Sequence, residues 1–177
     1  NKDDSGYDLD IEFQPIYARH EFDTTSQASG VKAVLKNVYH KISIILGKKL
    51  GTEINLRWKA KGSNTVRTYD YDKIWSYILN KKVTDSKRVP GAFAMWDNTP
   101  RHGVNGHVYT GATPEKFEKY LKKLIKKAKE EYKKDMIFVY AWNEWAEGGY
   151  LEPDEENGYG YLRAIRNALT ETEEMPE

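Results

Sequence analysis

The chain contains no cysteine, so neither a disulfide framework nor a cysteine-ligated zinc site can hold it together. It has no apolar run near the roughly 18 residues needed to cross a bilayer. Its opening stretch, "NKDDSGYDLD", is too polar for a signal peptide. An excess of charge is missing as well. Twenty-eight Lys+Arg face 27 Asp+Glu, and a formal net charge of +1 supplies no field to gather nucleic acid or an anionic membrane. Neither partner is expected, and a cytoplasmic location is expected, with export left open because an absence of cysteine fits both compartments. The first residue is Asn1 rather than methionine, which suggests a processed chain or a piece of a longer one. What the chain does have is 39% hydrophobic and 13% aromatic residues in a length of 177, enough for a single folded domain, 1–177, with a real core.

The order of elements follows from periodicity. "YDLDIEFQP" (Tyr7 to Pro15) alternates Leu9, Ile11 and Phe13 with acidic residues, the period of a half-buried strand that Pro15 stops. Apolar residues at 31, 34, 35, 38, 42, 45 and 46 predict a helix, and 51–68, with mixed signals and two glycines, a loop or irregular hairpin. Asp70 can cap a helix whose apolar face is Tyr71, Ile74, Trp75 and Ile78. Ala92 to Trp96 form a second short apolar strand, followed by a glycine-containing loop, "HGVNGHVYTGA". Thr113 is a good N-cap, Pro114 suits the first helical position, and Phe117, Tyr120, Leu121, Leu124, Ile125, Ala128 and Tyr132 make an apolar stripe. "MIFVYAW" (Met136 to Trp142) is a continuous apolar strand. Gly158 to Leu169 read as a helix facing inward through Tyr161, Leu162, Ile165 and Leu169, with a frayed acidic tail after it. Strands alternating with helices predict the α/β class with a parallel sheet. Ligand sites in such folds lie at the C-terminal ends of the strands, so Gln14, Asp97 and Glu144 should face one cleft.

Those strand ends hold the unusual chemistry. "AWNEWAEGGYLEP" puts Glu144 and Glu147 three residues apart, where a turn can return both to one cleft although a continuing strand could not. Paired carboxylates serve glycosidic chemistry, one as acid and the other as base or nucleophile. Tryptophan faces pack on sugar rings and desolvate carboxyls. An isolated E-x-x-E is ordinarily a solvated helical pair, but the cluster W-N-E-W-x-E-G at a strand end favours a site. "WDNTPR" ends the preceding strand in like manner: Asp97, Asn98 and Arg101 can bind hydroxyls or a phosphate, or simply form a turn before Pro100. The histidines at 20, 40, 102 and 107 lack metal-ligand spacing, and no phosphate-cradling glycine motif occurs, so neither metal nor cofactor is expected.

"AWNEWAEGGYLEPDEENGYGYLRAIRNAL", with "AMWDNTPRHG", "GATPEKFEKYL" and "YDLDIEFQP", closely resembles the C-terminal part of WbsX-type proteins. These are usually named glycosyltransferases or lipopolysaccharide-biosynthesis proteins and are related to glycoside hydrolase family 99. The resemblance implies the C-terminal βα units of a (β/α)8 TIM-type barrel, incomplete in this chain, acting on glycans. The two glutamates of the N-E-W-H-E-G motif of family 99 fall on Glu144 and Glu147. The first would be the base that draws a proton from the sugar 2-hydroxyl to form an anhydro intermediate, and the second the acid and base at the glycosidic oxygen. Ala146 replaces the motif histidine. Asp97, Asn98, Arg101, Trp142, Asn143, Trp145 and Glu152 would shape the sugar site. A glycosyltransferase of surface-polysaccharide assembly and a non-catalytic glycan-binding module are the alternative readings. The incomplete barrel would need an N-terminal segment or self-association to cover its edges.

Overall fold

A computed structural model describes residues 6–28 and 65–175, with side chains for all of these but 24–28. The helix expected over 31–46 lies outside them, as does the expected loop up to residue 64. The chain divides into two compact units, Asn1–Ala18 with Asn64–Glu177, and Arg19–Ser63. In chain order the elements are β1 (Asp10–Ile11), α1 (Ile16–Ala28), β2 (Arg67–Asp70), α2 (Tyr71–Asn80), β3 (Arg88–Val89) and β4 (Gly91–Phe93). There follow α3 (Thr99–His102), β5 (His107–Thr110), α4 (Pro114–Lys127), β6 (Phe138–Tyr140), β7 (Asn143–Glu144), β8 (Gly149–Tyr150) and α5 (Gly160–Glu171). The class is mixed α/β, with short parallel strand pairs and helices; the described residues form no closed barrel.

The first unit is built on a parallel ribbon. β1 pairs with β3, and β4 pairs with β6. Successive carbonyls of an extended chain point to opposite edges. Val89 gives its carbonyl to the Glu12 N–H at 3.0 Å and Pro90 gives its own to the Phe138 N–H at 3.1 Å, so 88–93 runs between the other two. A second parallel pair joins β2 to β5, inside the stretch expected to be loop. It is tied to the end of the ribbon by the Tyr109 N–H on the Trp96 carbonyl at 2.9 Å. Gly91 allows the central strand to come this close to its neighbour: a Cβ there would stand 1.9 Å from the Glu12 carbonyl oxygen.

The two best-marked helices form as their patterns require. In α2, the Asp70 carboxylate accepts from the Lys73 N–H, and Tyr71, Ile74, Trp75 and Ile78 are buried. In α4, Thr113 accepts from the Lys116 N–H, Pro114 occupies the first turn, and the whole apolar stripe is buried, continuing through a π-helical turn at Ala128–Tyr132. The core forms where these helices meet β4. Trp75 lies between Phe93 (5.5 Å, 8°) and Tyr120 (5.4 Å, 12°), and each such side chain removed from water contributes about 1.5–3 kcal/mol. α5 packs on α4 by a different face from the one expected. Tyr161 is buried, but it is joined by Gly160, Ala164 and Ala168, while Leu162, Ile165 and Leu169 are half-buried. Small residues let the helices approach closely, and a Cβ at Gly160 would lie 2.7 Å from the Pro114 ring. The expected frayed tail is ordered at its start: α5 runs to Glu171, and Glu174 pairs with Lys129 at 2.9 Å.

β1 inverts its expected burial. Leu9, Ile11 and Phe13 are 40–49% exposed, while Glu12 and Gln14 on the other side of the strand are 3% and 2% exposed. Glu12 is buried because it is fully engaged. It accepts from Arg88 (3.2 Å), Lys81 (3.4 Å) and the Tyr132 hydroxyl (2.9 Å), which offsets the cost of desolvating its charge. Gln14 uses its amide oxygen to accept from the Ala18 N–H at 3.1 Å, capping the first turn of α1, so it does not join a cleft with Asp97 and Glu144. β6 departs likewise from the expected buried strand, since Met136, Phe138 and Trp142 are exposed.

Three outcomes are expected. Gly91→Ala should lower stability by at least the roughly 1–3 kcal/mol of an overpacked core site, measured by thermal or urea denaturation. The 177-residue chain, with the apolar side of β1 and Phe138 open, should self-associate and bind a hydrophobic dye. Light scattering over a concentration series checks this, and Ile11→Lys with Phe138→Lys should suppress both. Finally, Asp72 is held below the usual carboxylate range by hydrogen bonds from Lys116 and then from Tyr120, whose own phenol is pushed up to about 12 by burial and by Asp72. A depressed carboxyl adds stability that is present above its unfolded value and lost as pH falls through its folded one. Asp72→Asn should therefore flatten the acid limb of a stability–pH curve.

Candidate functional site

The ends of the three ribbon strands are joined by aromatic side chains. Tyr140, the last residue of β6, meets Phe13 in a T-shaped contact (5.1 Å, 79°) and stacks with Trp96 (4.8 Å, 28°). After Tyr140 the chain turns back as a small antiparallel pair, β7 with β8, so that Asn143 faces Tyr150 and Glu144 faces Gly149. The connection between them is a single 3-10 turn, Trp145–Glu147, closed by Gly148 in the left-handed region at φ 57°. Glycine is needed there twice over: a side chain would be strained at that φ, and its Cβ would lie 2.9 Å from the Asp97 nitrogen. At Gly149 a Cβ would stand 2.4 Å from the Tyr140 ring. The two glycines thus let the glutamate turn settle against both neighbouring strand ends.

Glu147 is fixed by that turn. One oxygen accepts from the Tyr140 hydroxyl at 2.9 Å, and the other lies 3.5 Å from the Arg101 guanidinium. Its backbone carbonyl accepts from the Asp97 N–H at 2.9 Å. The Tyr140 phenol is pushed far above its ordinary value, first by burial, then by its bond to Glu147 and by the Glu147 and Glu144 charges, with Arg101 opposing. Tyr140 therefore stays a donor at every ordinary pH, and both carboxylates act on it electrostatically. Glu144, half-buried, ends β7 on the same turn.

Around this pair the remaining candidates divide. Trp145 is half exposed, stacks on Tyr150 at 3.7 Å, and donates from its indole nitrogen to Glu152 at 2.6 Å, so a carboxylate and a ring hold its plane. The Tyr150 phenol is itself pushed up to about 12 by burial and by its bond with Asp154. Trp142 is 54% exposed, with its carbonyl taken by the Leu151 and Glu152 N–H groups, and Asn143 is exposed. Asp97 accepts from the Thr99 N–H (2.9 Å) and hydroxyl (2.6 Å), which starts α3 and carries Arg101 toward Glu147. Asn98 is 6% exposed, and its amide oxygen accepts from the His107 N–H at 2.6 Å, so this side chain is engaged in pinning the "WDNTPR" turn to β5. The Asp97 N–H joins the strand end at Trp96 to the Glu147 carbonyl, whereas the expectation names Glu144 beside Asp97, and Tyr140, Tyr150 and Gly148 are residues that the sequence reading does not single out. Tyr140 was masked by its apolar neighbours in "FVYAW", where a lone hydroxyl beside two glutamates was the available signal.

Among the described residues no group of three or more His, Asp or Glu side chains could hold a metal ion. No helix among them is long and apolar enough to cross a membrane.

Comparison with known proteins agrees with the resemblance read in the sequence. No solved structure matches the chain. Two curated relatives do, both called uncharacterized protein WxcX, from Xanthomonas campestris pv. campestris. The protein of strain B100 is 36% identical over 104 residues, and that of strain ATCC 33913 is 37% identical over 103. These matches cover 58% and 57% of this chain but only 15% of each relative. The broader correspondence is to a family: residues 1–165 match Glycosyltransferase WbsX, so the chain belongs to the WbsX glycosyltransferase family.

Proposed function

We propose that this chain carries the catalytic rim of a glycan-active enzyme, with Glu144 and Glu147 as the reacting carboxylates. One observation supports the reading above the others: Glu147 is gripped by Tyr140 and Arg101 on a glycine-closed turn against a second strand end. A pair that merely capped a helix would not call for such construction. Both neighbours of Glu147 donate, which suits a half-reaction in which it takes a proton, and a sugar hydroxyl or glycosidic oxygen arriving there would compete for the same oxygens. Trp145, braced by Tyr150 and Glu152, offers a flat apolar face of the kind on which sugar rings stack, and Trp142 and Asn143 stand exposed beside it. Arg101, facing Glu147, and Asp97 form the neighbouring wall, on the turn that the buried Asn98 pins from behind. The strands fit the C-terminal βα units of a TIM-type barrel, whose remaining strands, or a second copy, would cover the open apolar side of β1 and β6.

Whether water or a second sugar receives the glycosyl group separates a family 99-like hydrolase from a transferase of surface-polysaccharide assembly. The family name favours the transferase, and the paired carboxylates favour the hydrolase. The test is incubation of the full-length protein with mannose-containing and bacterial surface oligosaccharides, with and without nucleotide-sugar donors, and detection of products by mass spectrometry. Release without a donor identifies a hydrolase, and a product formed only with a donor identifies a transferase. Binding of a glycan with neither product would leave a non-catalytic module and overturn the catalytic reading.

Glu144→Gln and Glu147→Gln should each lower turnover by about 100- to 10,000-fold, the usual worth of a positioned acid or base, with little change in melting temperature. The loss at Glu147 should be larger for poor leaving groups than for activated ones. Unchanged turnover in both variants, with stability down by about 1–2 kcal/mol as for a broken cap, would make the cluster scaffold.

A further inference from the structure

We propose that Tyr140 is the positioning residue of this site, fixing the Glu147 carboxylate in place through its hydroxyl; the proposal rests on the catalytic reading of Glu147. The ring of Tyr140 has little freedom. Phe13 meets it in a T-shaped contact from the end of β1, Trp96 stacks with it from the end of β4, and the bare backbone of Gly149 closes against its Cε1 side. A ring held on these sides presents its hydroxyl in one place, and that place is 2.9 Å from Glu147 Oε2.

The alternative anchor is weaker. Arg101 is 58% exposed and its nitrogen lies 3.5 Å from Oε1, at the outer limit of a hydrogen bond, where water and salt screen the pair. A hydrogen bond from a half-buried phenol to a carboxylate is charge-assisted, less screened and directional. Tyr140 therefore sets where the carboxylate sits, and Arg101 adds a screened attraction that a bound substrate can displace. The arrangement also gives Phe13 and Trp96 an indirect part in the site: they touch Tyr140 and hold its ring.

Two measurements on one set of variants test this. The first needs no substrate. Nuclear magnetic resonance of ζ-carbon-labelled tyrosine, with the Tyr140 signal assigned by its absence in Tyr140→Phe, follows that signal as pH passes through the carboxylate range. The charged groups facing this phenol are Glu147, Glu144 and Arg101. The signal should respond to pH in the wild type, keep most of that response in Glu144→Gln, and lose most of it in Glu147→Gln, where only the unbonded Glu144 charge still acts on the phenol. The second uses full-length protein and whichever oligosaccharide of the panel above is turned over. Tyr140→Phe keeps the ring and its packing, so it should lower kcat by about 10- to 100-fold while KM stays within about twofold, as expected when a reacting group is misplaced rather than substrate lost. Arg101→Ala should cost less in kcat.

A signal indifferent to Glu147→Gln overturns the contact. An unchanged kcat in Tyr140→Phe overturns the positioning role even if the contact is real. Should the wild type turn over no glycan under either condition, the catalytic reading fails and the role falls with it, while the titration still reports the contact on its own.

Discussion

A half-buried phenol needs apolar packing for its ring and a partner for its hydroxyl, and few positions in a fold supply both. Tyr140 finds its packing in Phe13 and Trp96, from the ends of the other two ribbon strands, and its partner in Glu147, from the turn that follows its own strand. That arrangement is possible only because the three strands run parallel and end at one level, because Gly91 lets the central strand approach the Glu12 carbonyl, and because Gly148 and Gly149 leave room for the returning turn. The site is thus a consequence of backbone approach as much as of side-chain chemistry. Three glycines with no chemistry of their own decide where the carboxylates stand.

On the opposite side of β1 the same ribbon is held by charge. Glu12, almost without exposure, is met by Arg88, Lys81 and the Tyr132 hydroxyl, and Arg88 and Lys81 also reach the Tyr17 hydroxyl. Such a cluster contributes less to net stability than an apolar core of equal volume, since each charge is costly to desolvate. Its use lies in specificity: a slip of β1 along β3 would carry the buried Glu12 charge away from Arg88, Lys81 and the Tyr132 hydroxyl, so the register is fixed by the need to keep that charge satisfied. Burial pushes the Tyr132 phenol far up, and the nearby Glu12 charge adds to that, so this hydroxyl remains a donor.

How much of this was legible in the sequence depended on how local the signal was. The helices over 71–80 and 114–127 carry a capping oxygen, a proline at the right position in one case and an apolar stripe of helical period, all within one element, and they form accordingly. The strand at Tyr7–Pro15 was legible as a strand but not in its orientation. Alternation gives a period of two and cannot say which side is covered, and here Glu12 and Gln14 are the buried side because distant residues satisfy them. β5, in "HVYT", reads as loop in the sequence because four residues after a glycine carry too little pattern; its partner β2, forty residues earlier, makes it a strand. The cluster W-N-E-W-x-E-G was recognisable by composition alone, whereas the hold of Tyr140 on Glu147 and the engagement of Asn98 by His107 depend on how far the chain turns after each strand. Spacing in sequence does not specify that.

On the proposed reading, the turn after β6 presents Glu144 and Glu147 to one glycosidic linkage, with Tyr140 holding the second of them. A crystal structure of the full-length Glu147→Gln variant with an oligosaccharide bound tests it most directly. The glycosidic oxygen should lie within hydrogen-bond reach, about 3 Å, of the residue 147 side chain, with Glu144 on the same sugar ring and the Tyr140 hydroxyl still directed at residue 147. A glycan seated elsewhere on the protein, or one seated here with Glu144 turned away from the sugar, would contradict it.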